Sequence, residues 1–284
     1  MLVGKDGMIG KSIQKYFSAY NLITFGKEQF NLEKKANISK IIEKYQPEIF
    51  INAAAYTNVN LAENDKKKAK KVNAEALSTI SKKLKKFNSL LIHFSTDYVF
   101  DGKKIFAYNE DDQTKPLQYY GFSKNLGDKI ISKISCKHII LRTSWVYSYF
   151  GNNFVNKLID QKDSLEEIRV LNNEFGTPTS SNFLAKHVNE ICKKYIANSL
   201  VSNFSGVYNL SPKGITSRFK FAKFIFDYYN IDKKIIPINS QFLKNDLIVE
   251  RPRKVYLSKK KIIKSFNLKL IDWKSDFIMN MKKN

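Results

Sequence analysis

Cysteine, histidine and arginine are scarce in this 284-residue chain, and each scarcity removes a class of protein. Cys136 and Cys192 alone cannot build a disulfide framework, and they lack metal-ligand spacing. His93, His138 and His187 are scattered, with His93 inside an apolar run, so no zinc site is expected. A reducing, cytoplasmic setting fits this usage. No run approaches the roughly 20 apolar residues a membrane span needs, and residues 1–20 lack a signal-peptide layout. Only five arginines (Arg142, Arg169, Arg218, Arg251 and Arg253) stand among 49 basic residues, so 44 are lysine, and the net charge is +23. Nucleic-acid grooves interleave their cations with aromatics or cluster arginine. The lysine runs at 66–71, 82–86 and 259–264 do neither and read as solvated helix faces, so no nucleic-acid partner is expected. The positive field suits small anionic ligands instead.

What is present is a globular composition, 43% hydrophobic and 13% aromatic, in a chain long enough for one large core or two packed domains. In the first half, short apolar runs alternate with helical patterns. A helix is predicted from the glycines after Val3 to about Tyr20, then a strand over Asn21–Phe25 and a helix at about 37–46 ending before Pro47. Further apolar runs cover 48–55, 90–95 and 138–143, with helices at about 64–86 and 118–134 between them. This order predicts an α/β fold, a doubly wound parallel sheet covered on both faces. Beyond about residue 147 the pattern is less regular, with loops at 172–179 and 210–214. Thr216 or Ser217 is placed to cap an aromatic helix reaching about Tyr229.

Two motifs carry chemistry. Gly4-Lys-Asp-Gly7-Met-Ile-Gly10 follows the first apolar run and opens a helix, where glycines let a pyrophosphate approach backbone N–H groups. Its spacing is G-x-x-G-x-x-G, not G-x-G-x-x-G. The second is Thr96 at the end of the 90–95 strand, followed by Tyr120-x-x-x-Lys124 at a helix start. These groups can donate a proton to a carbonyl oxygen while hydride arrives from a nicotinamide. Chance alone gives roughly two Tyr-x-x-x-Lys pairs in so lysine-rich a chain. There are three: Tyr120/Lys124, Tyr229/Lys233 and Tyr256/Lys260.

Order selects among them. The glycine loop, Asn52–Thr57 (NAAAYT), Val72-Asn-Ala74, Ser95–Phe100 (STDYVF), Tyr120/Lys124, Arg142–Tyr147 (RTSWVY), Asn152–Val155, Phe175-Gly-x-Pro-Thr179 and Arg251-Pro252 together resemble the extended short-chain dehydrogenase/reductases. Within them the wording is similar to the dTDP-4-dehydrorhamnose reductase family. The resemblance implies a Rossmann-type domain over 1–147 and, over 148–284, a smaller interleaved α/β substrate-binding domain with segments returning to the sheet. It implies reduction of the C4 keto group of a nucleotide-linked 4-keto-6-deoxy sugar, for surface polysaccharide. Tyr120 would be the general acid, Lys124 would hold the nicotinamide ribose, and Thr96 would bond the same carbonyl oxygen. Gly4, Asp6, Gly7, Met8, Ile9, Gly10, Asn31, Leu32, Ala53, Ala54 and Ala55 would line the cofactor. Asp97, Tyr98, Trp145, Asn153 and Arg251 would face the substrate, the last two at its diphosphate.

The chain also departs from the family pattern. Only three residues precede Gly4, which implies either an upstream start or a shortened first strand with a charged amine near a buried sheet. Asn60 and Leu61 stand where the reductases usually show Asp and Lys, and Asn173-Glu174 stands for Asp-Gln. Phe25-Gly-Lys27 offers no carboxylate for a ribose 2′-hydroxyl, and Lys27 leans toward NADPH, with NADH left open. A dehydratase or epimerase on the same scaffold is the second enzyme alternative, but dehydratases follow the strand-end Thr with Asp-Glu and this chain has Tyr98. A non-catalytic NADP-binding subunit resembling the partner of methionine adenosyltransferase is the third. A homodimer and interface Mg²⁺ stay open, with no acidic cluster that assigns a metal.

Overall fold

Each apolar run of the first half becomes a strand whose successive side chains enter two different cores, as the period of two demands. The computed structural model describes residues 1–163, 167–200, 202–239 and 249–281. The first half runs β1 (Leu2–Val3), α1 (Met8–Tyr16), β2 (Thr24–Phe25), α2 (Lys35–Tyr45), β3 (Ile49–Asn52), α3 (Leu61–Asn64) and α4 (Lys66–Lys70). A π-helical turn (Lys71–Glu75), α5 (Ala76–Lys86), β4 (Leu90–Thr96), α6 (Tyr119–Ile134) and β5 (His138–Thr143) follow. The second half comprises β6 (Val146–Tyr147), α7 (Phe154–Asp160), β7 (Ile168–Leu171), β8 (Phe175–Gly176), β9 (Thr179–Ser180), α8 (Ser181–Ile196) and β10 (Gly206–Asn209). It closes with β11 (Thr216–Ser217), α9 (Arg218–Tyr229), β12 (Ile235–Ile238), α10 (Lys260–Phe266) and α11 (Trp273–Asn280).

Six parallel strands form the main sheet in the order β10-β5-β4-β3-β1-β2. Leu2, Ile51, Ile92 and Ile139 face one side, against Ile13 of α1, Val188 of α8 and Phe266 of α10. Their neighbours Val3, Phe50, Leu91 and Ile140 face the other, against Ile38 of α2, Ile80 of α5 and Ile131 of α6. The expected doubly wound α/β fold is therefore the one observed. A third core gathers Tyr147, Val155, Phe221, Ile225, Trp273 and Phe277 from the second half.

Several boundaries differ from the sequence expectation. α1 stops at Tyr16, four residues early, and β2 keeps only Thr24–Phe25 of the apolar run. The single helical pattern over 64–86 is broken. Asp65 leaves helical geometry between α3 and α4, and the π turn then shifts the register so that Asn73 points at α6. There its amide donates to Ser123 Oγ at 3.0 Å and to the Tyr56 carbonyl, while accepting the Tyr56 N–H. Ser217 is the α9 cap, its hydroxyl accepting the Lys220 N–H at 3.1 Å. Lys259 does not belong to a solvated face: it is buried, with its amine 4.0 Å over the Tyr256 ring. β1 is short, and the Met1 amine donates to the Ile49 carbonyl at 2.8 Å, where burial lowers it to about 6.

Candidate active site

The chain turns from β1 to β2 on one side and then to β3 on the other, and such a reversal leaves a crevice at the strands' carboxyl ends. A cavity of about 780 Å³ opens there. Gly4 leaves β1 with φ +87°, and a Cβ on it would lie 2.7 Å from the Ala54 nitrogen, so no larger residue fits. Gly7 caps α1 without a side-chain hydrogen bond, leaving the first-turn N–H groups free of a side-chain partner. That is an anion cradle at a helix N-terminus, and with Lys11 and Lys27 on the cavity wall it fits the pyrophosphate of a dinucleotide. Gly4, Asp6, Gly7, Met8, Ile9, Asn31, Leu32, Ala53, Ala54 and Ala55 all line this cavity. Gly10 does not. Its place is against the Gly4 carbonyl, where a Cβ would come within 2.0 Å, so it sets how closely α1 packs on the loop.

The catalytic candidates meet at the middle of the cavity. β4 ends at Thr96, whose Oγ1 accepts the Tyr98 N–H at 3.1 Å and donates to Asp97 Oδ1 at 3.2 Å. Gln118 caps α6 by accepting the Gly121 N–H, and Glu63 of α3 accepts the Tyr119 N–H, which fixes the first turn carrying Tyr120. Thr96, Asp97, Tyr98, Tyr120 and Lys124 share the lining. Burial raises the Tyr120 phenol well above its ordinary value, and the Thr96 hydroxyl opposes this in part. Burial lowers Lys124 to about 8, with Asp128 acting in the opposite sense. The amine of Lys124 donates to the Phe94 carbonyl at 2.6 Å and meets His93 Nε2 at 3.0 Å. Asp97, buried, is raised to about 6 by desolvation despite hydrogen bonds from Ser144 and Thr96. Tyr98 stands edge-on to Tyr120, ring centres 6.2 Å apart.

The other two Tyr-x-x-x-Lys pairs lie elsewhere. Tyr229 packs on Phe277 and Tyr228 in the third core, and Tyr256 sits under Lys259; neither lines the cavity.

On the far wall Trp145 adopts φ +43°, a left-handed conformation that costs a bulky residue about 1–3 kcal/mol and is commonest at functional sites. Arg218 lies over its indole at 3.7 Å and over Phe154 at 5.0 Å, with Glu174 3.7 Å from its Nε. Arg218 lines the cavity, and the sequence alone gave no signal for it beyond being one of five arginines. Asn153 and Arg251, expected at the substrate, are not in the lining. Asn153 caps α7 and donates to the Ser148 carbonyl at 2.9 Å, so its amide is spent on the loop. Arg251 has a buried Nε without a hydrogen-bond partner among the described residues. Burial raises the Tyr98 phenol, and the charges of Arg218 and then Arg251 oppose this in part. At the second strand, Phe25-Gly-Lys27 offers no carboxylate, but the structure supplies one from another turn. A Cβ on Gly26 would meet Asp6 Oδ2 at 2.6 Å, and Glu33 lines the same corner. Behind the site Asp128 accepts from Ser95 at 2.8 Å and pairs with Arg142 at 3.3 Å, both buried.

The model of the RmlD substrate binding domain matches residues 1–283 of this sequence. The chain belongs to that family. Among the RmlD relatives, a dTDP-4-dehydrorhamnose reductase of Sinorhizobium fredii is 31% identical over 275 residues, covering 96% of this chain and 93% of the relative. The dTDP-4-dehydrorhamnose reductase of Escherichia coli K12 is also 31% identical, with the same coverage of both chains. The crystal structure of a dTDP-4-dehydrorhamnose reductase from Bacillus anthracis, in complex with NADP, superimposes with a TM-score of 0.88 at 29% identity. It covers 98% of this RmlD-family chain and 96% of its own.

Proposed function

We propose that this protein reduces the C4 keto group of dTDP-4-dehydro-L-rhamnose to give dTDP-L-rhamnose, with NADPH as the reductant, as an enzyme of surface polysaccharide synthesis in the cytoplasm. The observation that carries the reading is the convergence of Thr96, Tyr120 and Lys124 with the glycine cradle on one cavity, in a chain of the RmlD family. Residues 1–147 would supply the cofactor side, and 148–284 mainly the substrate side.

NADPH held at the glycine cradle would supply the hydride to C4. Tyr120 donates its phenolic proton to the oxygen as the alkoxide charge develops. A phenol raised by burial is a weak donor, so the cation beside it matters. An ammonium about 4 Å away is worth about 4 kcal/mol at an effective dielectric of 20. Lys124, one helical turn on from Tyr120 and in the same cavity lining, would act as that cation and would also hold the ribose. Thr96 bonds the same oxygen by turning its hydroxyl from Asp97, while the Tyr98 N–H keeps the oxygen of that hydroxyl in place. Trp145 walls the sugar. Lys27 favours NADPH through a 2′-phosphate, set against the Asp6 carboxylate at the same corner. Tyr98 speaks against dehydration, because an aromatic stands where elimination of water needs a carboxylic acid.

The test is NADPH oxidation followed by absorbance on mixing with dTDP-4-dehydro-L-rhamnose. Steady loss of absorbance is expected. A flat trace from protein that binds NADPH would exclude this substrate and favour the non-catalytic alternative.

A further inference from the structure

His93 does not line the cavity, yet it joins two residues that do. It is 1% exposed on β4, between Asn52 at the end of β3 and Lys124 of α6, themselves 1% and 2% exposed. Asn52 Nδ2 meets the ring's Nδ1 at 3.1 Å, and the Lys124 amine meets Nε2 at 3.0 Å. Both ring nitrogens therefore face groups that carry protons, and a neutral imidazole has one proton to place. Asn52 resolves the choice. Its Oδ1 accepts the Ala54 N–H at 3.2 Å, so its Nδ2 is the end turned to His93 and donates to Nδ1. The ring proton then sits on Nε2 and points at Lys124, and only a neutral amine can accept it. For Lys124 to be the ammonium that donates to Nε2, the ring proton must move to Nδ1 and the Asn52 amide must turn over. The Ala54 N–H would then face an amino group.

We propose that His93 is a positioning residue that ties the protonation of Lys124 to the amide orientation of Asn52, and through it to the backbone of the cofactor loop at Ala54. Filling the cavity beside Ala53–Ala55 can tip that balance, so cofactor binding and the charge on Lys124 are linked. The surroundings agree. Burial keeps the His93 ring neutral, and the Lys124 ammonium would repel its cation. Around Lys124 the titratable groups are His93 on β4, Tyr120 and Asp128 on its own helix and, behind Asp128, Arg142 on β5. Burial disfavours the ammonium and Asp128 favours it, so the charge on this amine is finely balanced.

The inference rests on Lys124 being the lysine of the proposed reductase site, and its first test needs no turnover. The intact protein with ¹³C-labelled lysine is titrated by NMR, with Lys124→Met identifying the Cε signal. His93→Gln presents an amide oxygen that accepts from the ammonium without a tautomer constraint. It should raise the Lys124 midpoint by about one unit, since a hydrogen bond to the charged form favours it. The alkaline limb of kcat/KM should move with it, while KM for the sugar nucleotide stays within about twofold, because His93 touches no ligand. His93→Phe removes the anchor and should weaken NADPH about tenfold, the effect of one lost hydrogen bond. If His93→Gln is folded and leaves both the Lys124 midpoint and the alkaline limb where they were, His93 is packing only and the proposal is wrong. A shifted midpoint in a protein that turns over no sugar nucleotide would keep the His93 inference and overturn the reductase reading instead.

Discussion

Gly10→Ala separates the packing of the glycine loop from its chemistry. A Cβ at position 10 would lie 2.0 Å from the Gly4 oxygen, 2.8 Å from the Gly4 carbon and 2.9 Å from the Lys5 Cα. All three are backbone atoms, so no side chain can swing aside. An ordinary carbon–oxygen contact needs about 3.3 Å, and α1 must retreat from the loop by about 1 Å. Overpacking of this kind costs about 1–3 kcal/mol. For 284 residues the unfolding entropy is about 0.6 kcal/mol/K, so Tm should fall by roughly 2–5 °C. The same retreat would carry the first-turn N–H groups away from the proposed pyrophosphate position, and losing one hydrogen bond to a charged group, about 1.5–3 kcal/mol, weakens NADPH by about tenfold or more. Gly7→Ala is the control. Its Cβ meets nothing closer than 3.5 Å and its φ of −75° suits alanine, so Tm should change little. A methyl group there would stand in the proposed cradle and should weaken NADPH without lowering Tm. Thermal melts and calorimetric titration with NADPH read the two effects separately. Gly10→Ala with a lowered Tm and an NADPH Kd within threefold of wild type would refute the cradle.

Tyr120→Phe should lower kcat by about 10²–10⁴ and leave NADPH affinity nearly unchanged, as loss of a general acid does. Phe at Tyr229 or Tyr256, outside the cavity, should keep turnover, and a defect matching that at Tyr120 in either would overturn the choice of pair. Lys27→Ala should weaken NADPH about tenfold and NADH little, from one lost charge-assisted contact; equal losses for both cofactors would remove Lys27 from the 2′-phosphate. Asp97 ionises at about 6 in the native protein and near 3.8 unfolded. The native state therefore binds the proton more tightly, and on this group's account stability falls as pH rises from about 4 to about 6, by about 3 kcal/mol in all. Urea unfolding across that range should show a flatter decline for Asp97→Asn, and parallel curves would contradict the shift.

Much of this protein is local in its sequence. The continuous apolar runs and the helices between them determined the doubly wound sheet. His138–Thr143 appears as a strand with the expected ends, because its whole run is buried. Ser217 could be read as a cap because capping acts within three residues. The placement of the glycine loop, Thr96, Tyr120 and Lys124 was legible for the same reason, since the ends of strands and starts of helices carry them, and all but Gly10 of the loop's glycines line the cavity with them. What depends on segments far apart in the chain was not legible. Arg218 reaches the cavity only because α9 packs beside Trp145 and Glu174. The turn at 148–151 engages the Asn153 amide, and the Asp6 carboxylate reaches the second strand from the first turn. His93 sits in an apolar strand like any core residue, and only the stacking of β3, β4 and α6 sets its two nitrogens between Asn52 and Lys124. The sequence determined which chemical groups this protein carries and on which elements. Tertiary structure decided which of them meet, because a hydrogen bond or ion pair depends on distances of a few ångströms that sequence separation does not encode.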